Sequence, residues 1–190
     1  MSRELHPAEN RGYRELYAFA RQMADHWEAL APAFPDAPLE RGAGAAGELI
    51  EELEPLTAAR GLHGHPAAQG VGKTLARQRG VVRDRFLERG QALRFAVEEV
   101  QHLVTLLAYL GSVAGTRSDE ELGDFCARWV RRLKRLGSEA RKAAASLGED
   151  PDDAIEPLDT SRLGRAAHSI GYAFGTVGEW VDRQAAQRRG

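Results

Sequence analysis

One repeat constrains this chain more than any other feature. Val82, Phe86, Leu93, Ala96, Val100, Leu103, Leu107 and Leu110 recur at spacings of three and four. That period lays a continuous apolar seam along one face of a helix, interrupted only by Arg89. A second set on the same helix, Phe95, Glu99, His102, Leu106 and Tyr109, marks another face. A helix that is apolar on two sides is buried on two sides, so this segment is expected to be central.

The rest of the chain reads as helices packed around it. Tyr13, Leu16, Tyr17, Ala20, Met23, Ala24, Trp27 and Leu30 define a first helix over Glu9–Leu30. It should stop at the prolines Pro32, Pro35 and Pro38. The glycine- and alanine-rich run 41–47 reads as a connection. Glu48–Arg60 reads as a short acidic helix burying Leu49, Ile50, Leu53 and Leu56, with a kink at Pro55. After a loop over 61–72, the central helix is expected to run unbroken from Lys73 through Gly80 and Gly90 to Tyr109. Residues 111–117 form the next turn. Ser118 with Glu121 gives a capping-box pattern for a helix with the stripe Leu122, Cys126, Trp129, Leu133, Leu136, Ala140, Ala143 and Leu147. Gly148 ends it. An acidic linker, 149–159, precedes a last helix with the seam Leu163, Ala167, Ile170, Phe174, Val177 and Val181. No stretch alternates as a strand does. The expected fold is all-α: one domain over 1–190, an elongated antiparallel up-down bundle of about four long helices and one short one, with frayed ends at 1–8 and 184–190.

Composition fits that reading. Of 190 residues, 43% are apolar and 28% charged, enough for both a core and a soluble surface. The net charge of −2 rules out a global attraction to nucleic acid or anionic lipid. The single Cys126 cannot form an internal disulfide, and no run approaches the roughly 18 apolar residues of a membrane span. The expected setting is therefore cytoplasmic.

Several motifs carry chemistry. Glu99 and His102, three residues apart, point the same way on a helix, as the carboxylate and imidazole of di-metal bundles do. They are the candidate ligands for a divalent metal; no other cofactor is expected. Residues 67–74 fit a loose phosphate-loop pattern, which would place Lys73 and Thr74 against an anion. His63 and His65 are spaced for chelation but need further ligands. Cys126, on a core seam, reads as a small buried hydrophobe. Arg21 with His26, and Arg162 with His168, resemble the arginine–histidine spacing of HEPN-type helical ribonucleases. That resemblance covers these two pairs alone and implies attack on an RNA phosphodiester at a dimer interface.

Two further surfaces suggest partners. Gly171, Gly175 and Gly178 on the last helix would let a neighbouring backbone come close, the basis for self-association as a homodimer. Arg and Lys residues crowd the third and fourth helices, with Arg94 expected level with Arg135. They form a basic face that could meet nucleic acid unless the acidic linker neutralises it. The function expected from these features is a non-catalytic interaction or scaffold module, set against a metal-binding bundle centred on Glu99 and His102.

Overall fold

A computed structural model of the chain describes residues 5–62 and 87–159. The described residues are all-α. Helix α1 spans Pro7–Leu30, a short 3₁₀ turn follows at Ala31–Ala33, and α2 spans Leu39–Ala58. Helix α3 spans Arg89–Thr116, α4 spans Glu120–Leu147, and α5 is a single turn, Pro151–Ala154. Among the described residues there is no strand, only an isolated antiparallel bridge between Glu88 and Pro157. No helix of the described residues is long and apolar enough to cross a membrane.

The four long helices form a ring in which each neighbour runs antiparallel. Trp27 near the end of α1 meets Gly42 near the start of α2. Gly12 near the start of α1 meets Leu110 near the end of α3. Val100 of α3 meets Gly137 of α4, and Cys126 meets Gly111. Arg60 at the end of α2 meets Asp119 at the start of α4. Helix α3 packs against both α1 and α4, as its two apolar faces require. Most of the expected core residues are buried: Tyr13, Leu16, Met23 and Trp27 on α1, the seam from Leu93 to Leu110 on α3, and Leu122, Cys126, Trp129 and Leu133 on α4, while Tyr17, Ala24, Ala143 and Leu147 are half-buried.

Four boundaries differ from the sequence reading: the start of α2, both ends of α3 and the start of α4. The run 41–47 is helix, not connection. A Cβ on Gly42 would overlap the Trp27 ring, and Ala45 and Ala46 are buried, so these small residues serve close packing. Pro55 lies inside this helix, where the sequence reading places it, and the helix is not split there. The central helix begins at Arg89, because Glu88 is extended (φ −73°, ψ 151°) and Leu87 and Arg89 hydrogen-bond to the 156–158 segment. Val82 and Phe86 lie outside the described residues. The same helix continues to Thr116 rather than stopping at Tyr109. Helix α4 is capped by Asp119, whose carboxylate accepts from Leu122 N, while Ser118 reverses the chain at φ 54°. The later turn slides α4 along α3, so that Arg94 lies level with Ala143 instead of Arg135.

The Trp27–Gly42 contact yields a paired prediction. Gly42→Ala overpacks the crossing and should cost about 1–3 kcal/mol. Gly44→Ala, where nothing lies within 4 Å of the new methyl, should stabilise by up to about 1 kcal/mol through helix propensity. Urea unfolding of the two variants gives both signs.

Candidate functional site

The α1–α3 seam holds both halves of the expected metal pair, but turns them to different partners. Glu99 is reached from α1: Gln22 Nε2 donates to Oε1 at 2.9 Å, and His26 Nδ1 lies 2.7 Å from Oε2. A carboxylate only accepts, which puts the proton on Nδ1. The two side chains are 11% and 15% exposed, enough burial to hold the contact firmly. His102, one turn along, leans the other way. Its Nε2 lies 3.3 Å from Glu15 Oε1, and its ring packs against Phe19 in a tilted contact with centroids 4.0 Å apart. The spacing of three does place both residues on the α1 side of α3. Each then finds a nearer partner on α1 than the other. Among the described residues, no group of three or more His, Cys, Asp or Glu side chains comes together as a metal site.

The arginine–histidine spacing on α1 divides in the same way. Five residues on a helix turn about 140°, so Arg21 and His26 face apart. Arg21 pairs with Asp25 on the surface, and His26 turns inward to Glu99. Arg162 and His168, Lys73 and Thr74, His63 and His65, and Gly171, Gly175 and Gly178 lie outside the described residues.

At the solvent edge of the α1–α3 seam, where α3 turns outward, its second face is only partly covered. Leu106 is buried at 7% exposure, but Phe95 is 37% and Tyr109 48% exposed. Phe95, His102 and Tyr109 are seven residues apart and so form one row along the helix. With Phe19 beside His102, four aromatic rings occupy this surface.

One end of the bundle carries a buried ionic network. Arg60 Nη2 donates to both oxygens of Asp119, at 2.8 and 3.0 Å, and both side chains are 9% exposed. Glu9, fully buried, accepts from His6 N at 2.7 Å and pairs with Arg117 Nε at 3.0 Å. Tyr13 lies beside these charges. Burial first, and then Asp119 and Glu9 against the opposing pull of Arg60, push its hydroxyl well above the ordinary tyrosine range. Cys126 is buried next to it. Desolvation, then Asp119, push its thiol up to about 12, so it is an inert core residue rather than a nucleophile.

The basic surface is partly spent. Arg132 pairs with Glu48, and Arg128 pairs with Glu52, which also accepts from Trp129 Nε1 at 3.0 Å. The Arg132 hydrogen bond holds the Glu48 carboxyl below its usual value. Arg41 reaches Glu139. The neutralising acids therefore come chiefly from α2. From the acidic linker, Asp153 takes Arg89 at 3.0 Å. Arg89 also lies over the Phe34 ring, 4.9 Å from its centroid, at the wall of a cleft of about 600 Å³. This cleft opens at the opposite end of the bundle from Asp119.

The chain matches no protein-family model, and neither a curated protein nor a solved structure is significantly similar to it. Sequence reasoning missed the Arg60–Asp119 pair and the partnership of His26 with Glu99. Both join residues far apart in the chain, and no local spacing signals them.

Two predictions follow from the network's burial. Asp119→Ala strands Arg60 and removes a helix cap, and should cost about 3 kcal/mol or more; Asp119→Asn, which keeps the cap, should cost about 1 kcal/mol less. Chemical denaturation ranks them. Cys126 should resist iodoacetamide at pH 8 when folded and react readily in denaturant. Its native pKa is raised above the unfolded value of about 8.5, so its contribution is complete below that pH. It is lost as pH climbs toward 12, where only the unfolded thiol ionises. Denaturation midpoints should fall between pH 9 and 11, less steeply in Cys126→Ala.

Proposed function

We propose that the chain is a non-catalytic interaction module that pairs with a second copy of itself through the outer face of α3. The observation that carries this reading is the row Phe95, His102 and Tyr109 at seven-residue intervals, with its two ends exposed. The row is about 21 Å long at the helical rise. It is symmetric about His102: an antiparallel copy, related by a two-fold axis there, sets Phe95 of each copy against Tyr109 of the other. Such an isologous contact needs one patch that complements itself, the commonest arrangement in soluble dimers. Aromatic rings supply large contact area at small entropic cost, which suits them to interface centres. Glu15 and Phe19 hold the His102 ring in place before any partner arrives, so little order remains to be imposed on binding. The carboxylates and imidazoles of the adjacent seam are engaged with one another, which favours a structural role for them over a catalytic one.

Light scattering coupled to size exclusion tests the proposal. A dimer should form at tens of micromolar and give way to a folded monomer in Tyr109→Glu and Phe95→Glu. A strict monomer at several hundred micromolar rejects it. The metal-binding reading of Glu99 and His102 makes a separate prediction: stoichiometric metal in purified protein, lost in Glu99→Gln and in His102→Ala.

A further inference from the structure

Helix α4 carries seven cations between Arg128 and Lys142. Two of them, Arg128 and Arg132, turn toward α2 and are taken by Glu52 and Glu48. The other five, Arg131, Lys134, Arg135, Arg141 and Lys142, are exposed, and none makes an ion pair among the described residues. At 100° per residue these five lie within about 120° of one another around the helix. The remaining positions of that arc from 127 to 145 are Ala127, Ser138 and Ala145. No carboxylate interrupts it; the nearest, Glu139, is held to the side by Arg41. The stripe is about 16 Å long from Arg131 to Lys142. Acidic residues bound it at both ends, Glu121 and Asp124 before and Glu149 and Asp150 after.

From this arrangement we infer that the solvent face of α4 binds the phosphate backbone of a double-stranded nucleic acid, without reading its sequence. The inference uses a different helix from the self-association surface and stands apart from it. Five cations without an ion pair in one row match an array of phosphates, Lys142 at its end also bordering the cleft that Glu139, Asp150 and Asp153 line; arginine, three of the five, suits phosphate by its forked donors. The row is mounted on a rigid support, because Leu133, Leu136 and Ala140 on the opposite side of α4 are buried. The chemistry of the arc separates this partner from other polyanions. It has no aromatic ring, so unpaired bases find no stacking platform, and a duplex with its phosphates outermost is the better match. It has no large apolar residue, and the apolar face of α4 is used in the core, so nothing remains to enter a lipid surface. The bounding acids limit the footprint to about three to five phosphates. The dependence of log K on log salt should then have a slope of roughly −3 to −4.5.

The test is fluorescence anisotropy with a 20-base-pair DNA duplex, an RNA duplex of the same sequence, a single strand of equal length and vesicles containing phosphatidylserine, from 25 to 200 mM NaCl. The 190-residue chain should bind a duplex in the micromolar range at low salt, with the slope given above. The triple variant Arg131→Gln, Arg135→Gln and Lys142→Gln should bind at least tenfold more weakly with a slope smaller by about two to three. A control, Arg11→Gln with Arg14→Gln and Arg21→Gln, removes the same charge from α1 and should change binding less than twofold. Circular dichroism melts establish that both variants fold. The inference is overturned if no duplex binds at 25 mM salt, if the two variants weaken binding equally, if the single strand binds more tightly than either duplex, or if vesicles bind and duplexes do not. Which duplex binds more tightly decides between DNA and RNA as the source of the phosphates.

Discussion

The fourth side of the helical ring is closed by charge. Helices α1 and α2, and α3 and α4, meet through closely packed side chains, but α2 and α4 meet chiefly through arginine and carboxylate pairs. Arg41 with Glu139, Arg132 with Glu48, Arg128 with Glu52, and Arg60 with Asp119 descend the seam in order. Their regular succession is what fixes the antiparallel register of the two helices. Shifting α2 by one turn would put every rung out of step at once.

The rungs are not equal. The first three are largely exposed, and such pairs contribute about 0–1 kcal/mol each. Arg60 and Asp119 are withdrawn from water and doubly bonded, so losing either strands a charge at a cost of several kcal/mol. Stability on this side therefore concentrates at one end, where Glu9, Tyr13 and Arg117 also gather. Asp119 does two jobs there. It anchors Arg60 and caps α4, so the residue that begins the fourth helix also ties it to the second. That double demand explains why the cap is Asp119 and not Ser118, whose hydroxyl could satisfy one partner but not a guanidinium.

Periodicity made the helices and their buried faces legible, because apolar spacing is a local property. The seam from Leu93 to Leu110 and the stripe from Leu122 to Leu136 are buried as read. What the pattern does not carry is what lies across from a residue. Gly42, Ala45 and Ala46 look like a connection when read alone, and make sense as helix once Trp27 is known to lie over Gly42 and both alanines are known to be buried. The site shows the same limit. The spacing of Glu99 and His102 sets where they point along α3, but the side chains opposite on α1 set what they bind. His26 and Glu15 stand nearer to each than they stand to one another.

Charge on this molecule has to be read after pairing. The chain's formal net charge of −2 gives no hint of a basic surface, and the raw count of cations on α4 overstates one. The α2 glutamates remove the inward-leaning arginines from that count. Those left over share a narrow outward arc, since the residues facing α2 and the residues facing solvent alternate by helical period. A polar surface with a residual sign can thus arise from a near-neutral chain, provided its acids lie off the arc that carries the cations. Here Glu48 and Glu52 sit in the α2 seam, where they hold its register, and Glu121, Asp124, Glu149 and Asp150 lie before and after the row, so the unbalanced stretch is the other side of that same arrangement.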